Sequence, residues 1–362
     1  MRISIAEPSI GEEELTNVVE AVRSGWISSK GKFIQEFEEK FAHYCGVKYG
    51  VATSNGTTAL HLALSALEIG AGDEVIVPTL TFVATANAVR YTGAKPRFVD
   101  SHPDYWCIDP KKTEDVITSK TKAVIPVHLY GHPCDMDAIM NIAQRYNLYV
   151  VEDAAEAHGA EYKGRKVGSF GDIACFSFYG NKILTTGEGG MCLTNEERLA
   201  EKMRILRDHG MSPQRRYWHD TIGFNYRMTN MQAAVGVAQS SKLEEFVKRK
   251  RQSSGLYNSL LAGVKGVSLP PEMPWAKNVY WMYSILIQDD FGIGRDELMQ
   301  RLEQRGVETR PLFSPLHIMP PHKTRGRFPI AEELSKKGIN LPSSMNLTQE
   351  EIEYIADIVR ER

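Results

Sequence analysis

Three features are scarce in this sequence of 362 residues: long apolar runs, paired cysteines and an excess of charge of one sign. The longest apolar runs fall far short of the roughly 20 residues that span a membrane, and residues 1–8 lack the apolar core of a signal peptide. The formal net charge of -2 gives no reason to expect a nucleic-acid partner. We therefore expect a cytoplasmic protein with neither a membrane partner nor a nucleic-acid partner.

The cysteines do not follow the paired spacing of a disulfide framework or a zinc site; they are Cys45, Cys107, Cys134, Cys175 and Cys192. This scatter predicts reduced thiols, as in cytosolic proteins. His128, His132 and Cys134 are metal-ligand types, but Gly131 and Pro133 between them exclude a regular helix. Because no second ligand pair follows at zinc-site spacing, we predict no metal site.

Short apolar segments alternate with helical patterns between residues 49 and 195. We predict strands at 49–53, 73–78, 96–100, 121–128, 148–153 and 173–178. This alternation is typical of an α/β fold with a mostly parallel sheet covered by helices. Because the chain is long enough for a second core, we predict a large domain at 1–250 and a smaller α+β domain at 251–362. A helix at 231–251 would bridge them, and a strand at 278–287 would belong to the smaller domain.

Lys182 comes directly after the predicted strand 173–178 and a Tyr179-Gly180-Asn181 turn. A lysine of this kind can form a Schiff base with a carbonyl or with pyridoxal phosphate (PLP). Taken by itself, such a lysine is more often a surface residue on a loop. Asp153 ends the predicted strand 148–153, and PLP sites pair a lysine with an acid that keeps the pyridinium nitrogen protonated. Both residues fall at the carboxyl ends of strands, where open α/β sheets bind ligands.

Three other sites in the sequence each allow two interpretations. The run 54–58, Ser-Asn-Gly-Thr-Thr, opens a predicted helix and could cradle a phosphate or simply cap the helix. Trp26 lies between glycines in a loop rich in hydroxyls, where it could contact a sugar nucleotide or pack inside. Phe82 could face a ligand or belong to the core.

Two stretches resemble the fold type I nucleotide-sugar aminotransferases of the DegT/DnrJ/EryC1/StrS type. They are Glu152-Asp-Ala-Ala-Glu-Ala-His-Gly159 and Ser177-Phe-Tyr-Gly-Asn-Lys-Ile-Leu-Thr-Thr-Gly-Glu-Gly-Gly-Met191, and the resemblance extends over residues 26–342. It implies PLP as the cofactor, Lys182 as the catalytic residue, and a set of cofactor contacts: Gly56, Thr57, Thr58, Phe82, Asp153, Glu156, Ser177, Lys182 and Asn225. Asn225 would reach the phosphate bound by the partner subunit. The resemblance places Glu156 against the phenolic oxygen of PLP, where many relatives carry Gln. The carboxyl of Glu156 must therefore either be protonated or take up the proton of that oxygen.

The resemblance also implies a reaction, the transfer of an amino group from L-glutamate to C4 of a GDP-linked 4-keto-6-deoxy sugar. It implies a homodimer with shared active sites and a product used for surface polysaccharide, or O-antigen. The implied substrate contacts are Trp26, Thr185, Glu188, His219, Arg310 and His317.

Three alternatives remain open on the sequence. The sugar could be linked to UDP or dTDP. The reaction could be a PLP-dependent dehydration, although relatives that remove a hydroxyl replace the Schiff-base lysine with histidine and this chain keeps Lys182. The chain could also be a non-catalytic binding protein on the same fold.

Overall fold

A computed structural model describes residues 2–361 of the chain. Its strands, in chain order, are β1 (Tyr49–Thr53), β2 (Glu74–Pro78), β3 (Lys95–Val99), β4 (Thr121–Val124), β5 (Tyr149–Asp153), β6 (Glu161–Tyr162), β7 (Arg165–Lys166), β8 (Ile173–Ser177), β9 (Gly190–Thr194), β10 (Val267–Ser268), β11 (Ala276–Lys277), β12 (Tyr283–Ile287), β13 (Arg310–Pro311) and β14 (Gly338–Leu341).

The helices lie between these strands and at both ends of the chain. They are α1 (Glu12–Arg23), α2 (Lys32–Cys45), α3 (Gly56–Ala66), α4 (Ala84–Tyr91), α5 (Pro110–Asp115), α6 (Met136–Tyr146), α7 (Glu197–Arg207), α8 (Asn230–Leu261), α9 (Arg295–Gln304), α10 (Pro329–Lys337) and α11 (Gln349–Arg360). Within residues 2–361, none of them is both long and apolar enough to cross a membrane.

The central sheet of the described chain has seven strands in the order β1-β9-β8-β5-β4-β2-β3. Strands β8, β5, β4, β2 and β3 run parallel, while β9 runs antiparallel to both of its neighbours. Strands β2, β8 and β9 are buried along their whole length, as expected for a sheet covered by helices on both faces. The predicted α/β class with a mostly parallel sheet is confirmed.

Two predicted strands are shorter in the structure. Strand β4 ends at Val124 because Pro126 has no N–H for the ladder, and beyond it Val127 pairs with Asp153 only as an isolated bridge. The predicted strand 278–287 pairs only from Tyr283 onward, because Tyr280 has a left-handed backbone with φ +47°. The residues before β12 therefore form a buried turn that the apolar pattern alone did not distinguish from a strand.

The buried apolar side chains of residues 2–361 form two clusters. One lies around the central sheet, and the other lies around a smaller antiparallel sheet with the order β10-β12-β14-β13. Helix α8 packs against α1 and α2 beside the first cluster and against α11 beside the second. It runs without a break through residue 250, so the domain boundary placed there stays a prediction.

Candidate active site

A cavity of about 660 Å³ lies at the carboxyl ends of β1, β2, β5 and β8. This is the edge at which parallel α/β sheets bind ligands. Ten of the predicted site residues line it: Gly56, Thr57, Thr58, Phe82, Asp153, Glu156, Ser177, Lys182, Glu188 and Arg310.

Lys182 follows β8 through a turn in which its N–H donates to the carbonyl oxygen of Tyr179 at 2.9 Å. Its Nζ lies 3.9 Å from Glu156 Oε1 and 3.6 Å from the ring centroid of Trp281. Burial lowers the pKa of this amine, and the carboxylates of Glu156 and Asp153 oppose that shift without cancelling it. A buried lysine with a lowered pKa loses its proton more readily, which is what a nucleophilic or basic amine requires.

Asp153 ends β5 and is almost fully buried. Its Oδ2 accepts a 2.7 Å hydrogen bond from Thr85 Oγ1, and its Oδ1 accepts one from the Ala155 N–H at 3.3 Å. Burial raises the pKa of Asp153, and these two hydrogen bonds act against the rise. The carboxylate is therefore fixed in orientation and poorly solvated, so a cationic ring nitrogen beside it would stabilise it.

Glu156 lies near Lys182 and is held from the other side by the N–H of Tyr130, which donates to Oε2 at 2.8 Å. Burial raises the pKa of Glu156 to about 7, although the Lys182 charge and the Tyr130 hydrogen bond lower it. A carboxyl with this pKa can hold or release a proton near neutral pH.

The amino terminus of α3 forms one end of the cavity. The side chain of Asn55 caps this helix by accepting the Thr58 N–H at 2.9 Å, which leaves other first-turn N–H groups without acceptors inside the helix. A Cβ added to Gly56 would lie 2.7 Å from the Cβ of Ser177, so glycine is needed for the close approach of these segments. Free N–H groups, the helix dipole and nearby hydroxyls together form a site for an anion such as a phosphate.

Phe82 supplies a flat apolar wall. Its side chain is 54% exposed within the cavity, and its ring centroid lies 5.9 Å from that of Phe313. The cavity thus offers an anion site, an aromatic face, a fixed carboxylate and an amine. PLP has the matching phosphate, ring, ring nitrogen and aldehyde, so these residues fit this cofactor.

Two predicted substrate residues are buried away from the cavity lining. Thr185 Oγ1 donates to the carbonyl oxygen of Phe178 at 3.1 Å and accepts the Gly187 N–H at 2.9 Å, which shapes the turn after Lys182. His317 lies 2.8 Å from Thr79 Oγ1 through Nδ1 and 3.1 Å from Glu332 Oε1 through Nε2. Their hydrogen bonds lie within this chain, and their roles in substrate binding stay predictions.

Three other predicted residues are exposed and lie outside the cavity. Trp26 lines a separate depression near Lys32. His219 lies in a surface loop with Nδ1 2.9 Å from the carbonyl oxygen of His209. Asn225 Oδ1 accepts a 3.0 Å hydrogen bond from Arg227. Trp26 and His219 were predicted to contact the substrate, and Asn225 to contact the phosphate bound by the partner subunit. Because the structure describes a single chain, these roles stay predictions.

Several lining residues were not predicted from the sequence: Thr85, Asn181, Trp281 and Phe313. Thr85 lies in the first turn of α4, the helix that follows β2. Because segments after the parallel strands meet at the same edge of the sheet as Asp153, this position could have been considered from the sequence. Trp281 and Phe313 come from the second half of the chain, and their apolar surroundings in the sequence gave no signal of a ligand site.

The candidate metal ligands form hydrogen bonds with other groups of the chain. His128 Nε2 lies 3.1 Å from Glu152 Oε2, and its Nδ1 accepts the Cys134 N–H at 3.0 Å. Glu152 also accepts N–H groups from Gly168 and Gly171. In the part of the chain that the structure describes, we find no group of three or more His, Cys, Asp or Glu side chains that could hold a metal ion.

Comparison with known proteins identifies relatives over nearly the whole chain. The DegT/DnrJ/EryC1/StrS aminotransferase family matches residues 8–360. A GDP-perosamine synthase from Caulobacter vibrioides is 50% identical over 357 residues, which cover 98% of this chain and 96% of that protein. A GDP-perosamine synthase from Escherichia coli O157:H7 is 48% identical over 360 residues, covering 99% and 98%. Among solved structures, the PLP form of Spr1654 from Streptococcus pneumoniae matches with a TM-score of 0.93 and 29% identity, covering 99% of this chain and 98% of that chain.

Proposed function

The chain belongs to the DegT/DnrJ/EryC1/StrS aminotransferase family, and from this we propose that it transfers the amino group of L-glutamate to C4 of GDP-4-keto-6-deoxy-D-mannose. The product would be GDP-perosamine. The resemblance seen in the sequence is confirmed, and the chain is a PLP-dependent sugar-nucleotide aminotransferase. The observation that carries the proposed substrate is the 50% identity, over 98% of the chain, to a relative named GDP-perosamine synthase.

PLP is the cofactor, and the lining of the cavity indicates which residues would hold it. Gly56, Thr57 and Ser177 surround the anion site and would hold the phosphate, while Phe82 would lie against the ring. Asp153 would hold the proton of the ring nitrogen. When bound, PLP supplies an electron sink that lets an amino group pass from one carbon to another.

The chain's own proton chemistry centres on Lys182. Its buried Nζ has a lowered pKa and so loses its own proton more readily; the free amine can then take a proton from the α-carbon of a bound amino donor. Glu156 Oε1, 3.9 Å away, has a pKa of about 7 and can hold or return a proton beside it. Burial of both groups excludes water that would compete for the proton.

The retained lysine also bears on the dehydration alternative. Relatives that remove a sugar hydroxyl carry histidine at the Schiff-base position, whereas this chain has Lys182 with two carboxylates beside it. This arrangement favours amino transfer. Burying an amine and two carboxyls in one cavity costs solvation energy, which supports a chemical role over simple binding of a sugar nucleotide.

The mouth of the cavity has charged side chains suited to a sugar nucleotide. Arg310 lines the cavity with half of its side chain exposed, and its Nη2 is 3.3 Å from Glu308 Oε1. An exposed guanidinium at the mouth of a cavity can form paired hydrogen bonds with a diphosphate or a carboxylate. Glu188 lines the same cavity and could accept hydrogen bonds from sugar hydroxyls.

We further propose a homodimer with shared active sites, placed in the cytoplasm and serving surface polysaccharide synthesis. Support for the shared site comes from Asn225, which is exposed and outside the cavity of its own chain. It would reach the phosphate bound in the partner subunit. An isologous two-fold interface would then produce two equivalent composite sites.

The test is a panel of 4-keto-6-deoxy sugars linked to GDP, UDP and dTDP, each incubated with the full chain, PLP and L-glutamate and analysed by mass spectrometry. The amino sugar should form best from the GDP substrate, and Lys182→Ala should form none while keeping its fold. A clear preference for a UDP or dTDP sugar would replace the substrate but keep the reaction. PLP binding without any amino transfer would instead favour a binding protein.

A further inference from the structure

Trp281 is a side chain of the cavity that the proposed chemistry does not use. Its ring centroid lies 3.6 Å from Lys182 Nζ, and its Nε1–H donates a 2.8 Å hydrogen bond to the carbonyl oxygen of Asn181. One indole therefore contacts both the amine and the main chain next to it. Because an aromatic face attracts a cationic nitrogen at this distance, the position of the indole influences the orientation of the lysine.

The main chain of Trp281 is held by a buried amine. Lys250, on α8, is 5% exposed, and its Nζ donates to the carbonyl oxygen of Trp281 at 2.8 Å and to that of Ser343. Burial lowers the pKa of Lys250 to about 7. Placing an amine in such a site costs solvation energy. The hydrogen bonds to the two carbonyl oxygens offset part of this cost and fix the position of the amine.

The turn that carries Trp281 is under backbone constraint. Tyr280 has φ +47°, and its N–H donates to Asn278 Oδ1 at 2.8 Å. Facing it, Gly131 has φ +102°, and a Cβ there would lie 2.9 Å from the backbone nitrogens of Tyr280 and Trp281. Left-handed residues of this kind persist where the surroundings fix them, and they cluster at functional sites.

We propose that Lys250 and Trp281 form a positioning relay, in which Lys250 fixes the main chain of Trp281 and the indole fixes Lys182 and the backbone before it. The proposal rests on the proposed function, since Lys182 must be the residue that bonds to PLP. Neither relay residue is assigned a chemical step. The carboxyls of Glu156 and Asp153 act on the charge of Lys182 from other elements, and Glu188 and Arg310 line the same cavity. The charge of Lys182 also affects the buried imidazole of His158.

The test measures how fast Lys182 captures PLP in the full chain after the cofactor has been removed. Capture is followed by absorbance, trapped by borohydride and assigned to a lysine by peptide mass. The variants are Lys250→Met, which keeps an unbranched apolar side chain without donors, and Trp281→Leu, which removes the aromatic face. The matched control is Lys242→Met, because Lys242 lies on the same helix but its Nζ contacts both oxygens of Glu14 at 2.9 Å.

We expect capture to slow on the order of tenfold to a hundredfold in Lys250→Met and Trp281→Leu, since a misplaced reactive group costs rate. The pH profile of capture should also move, with a lower apparent pKa of Lys182, because the aromatic face no longer stabilises the ammonium. Trp281→Phe keeps an aromatic face and should retain the wild-type profile with slower capture. Lys242→Met should match the wild-type chain in both measurements, whatever its melting temperature.

The outcomes separate the relay from the function on which it rests. If the wild-type chain captures PLP at Lys182, and Lys250→Met and Trp281→Leu show the same rates and pH profiles, the relay is wrong and the proposed function stands. Equal losses in Lys242→Met overturn it as well, because the effect would then be general destabilisation. Capture by a different lysine in the wild-type chain overturns both proposals.

Discussion

At the scale of single residues, the carboxyl of Asp153 offers the sharpest test of the cofactor site. Asp153→Asn keeps the shape of the side chain but cannot stabilise a positive ring nitrogen, so PLP should still bind while turnover falls on the order of 10²-fold or more. Bound PLP is measured by absorbance and turnover by amino sugar formed per active site.

The control for this substitution is Asp172→Asn. Asp172 Oδ2 accepts the Val150 N–H at 2.8 Å beside the same sheet, but Asp172 does not line the cavity. It should lose stability without a comparable loss of turnover. A nearly normal rate in Asp153→Asn would transfer the role to Glu156.

His158 makes a residue-scale prediction about acid stability. It is fully buried among the rings of Phe41, Phe176 and Phe178, and burial lowers its pKa from 6.5 to about 3, with a further contribution from the Lys182 charge. The unfolded chain therefore binds a proton at His158 between pH 6.5 and 3, whereas the folded chain does not. Stability falls as the pH drops through this window and is unaffected by His158 above it.

His158→Phe should remove this acid sensitivity, with a relative gain of roughly 3 kcal/mol near pH 4 that disappears at neutral pH. Denaturant titrations of both proteins at a series of pH values measure it. The exposed His43→Phe variant should show no such pH-dependent gain. A constant difference between wild type and His158→Phe at all pH values would mean that the histidine titrates normally.

At the scale of elements, the start of α3 depends on the absence of a side chain at Gly56. Gly56→Ala would place a methyl group 2.7 Å from the Cβ of Ser177, in contact with β8. The helix start must then move away from the sheet, so we expect PLP affinity to fall about tenfold or more, since small displacements at such sites are costly. Equilibrium binding of PLP to the cofactor-free chain measures the change.

Gly255→Ala is the matched control for this prediction. Gly255 lies within α8, and a Cβ there would meet nothing within 4 Å. It should leave PLP affinity unchanged and stabilise the chain by about 0.5–1 kcal/mol. If Gly56→Ala binds PLP as tightly as the wild-type chain does, α3 does not form the phosphate site.

The positions of some strands and site residues could be predicted from the sequence, and others could not. Lys182 and Asp153 were found because each follows a buried apolar run, and the carboxyl ends of such runs meet at one edge of a parallel sheet. Strand β9 was not predicted, because its antiparallel position between β1 and β8 depends on the return of the chain after Lys182. Trp281 could not be placed either, since its approach to Lys182 depends on a turn at Tyr280 and on packing between distant segments.

At the scale of the whole molecule, the proposed dimer predicts that two damaged chains can complement each other. Lys182→Ala inactivates the site built on its own chain, whereas Asn225→Ala would weaken the site of the partner. In a mixed dimer one site carries both changes and the other carries neither. Random exchange makes about half of the dimers mixed, so about a quarter of all sites should be intact.

Activity after subunit exchange at limiting PLP should therefore exceed the mean of the two separate variants. Exchange itself is followed by native mass spectrometry with one chain isotope-labelled. If exchange is complete and activity does not rise, although Asn225→Ala alone is impaired, Asn225 serves the site of its own chain.

The 32 residues of α8 have a consequence that concerns length and phase. An α-helix of this size extends about 48 Å, and each residue turns it by about 100°. Near one end Asn230 Nδ2 donates to the Trp26 carbonyl oxygen, and toward the other Tyr257 is buried in the second core. One residue inserted after Lys242 would rotate the remaining helix by about 100° and advance it by about 1.5 Å, turning Lys250 away from the Trp281 carbonyl. The residue count of α8 therefore fixes both the rotation and the distance between Asn230 and Tyr257, so an inserted residue should not be tolerated within this helix.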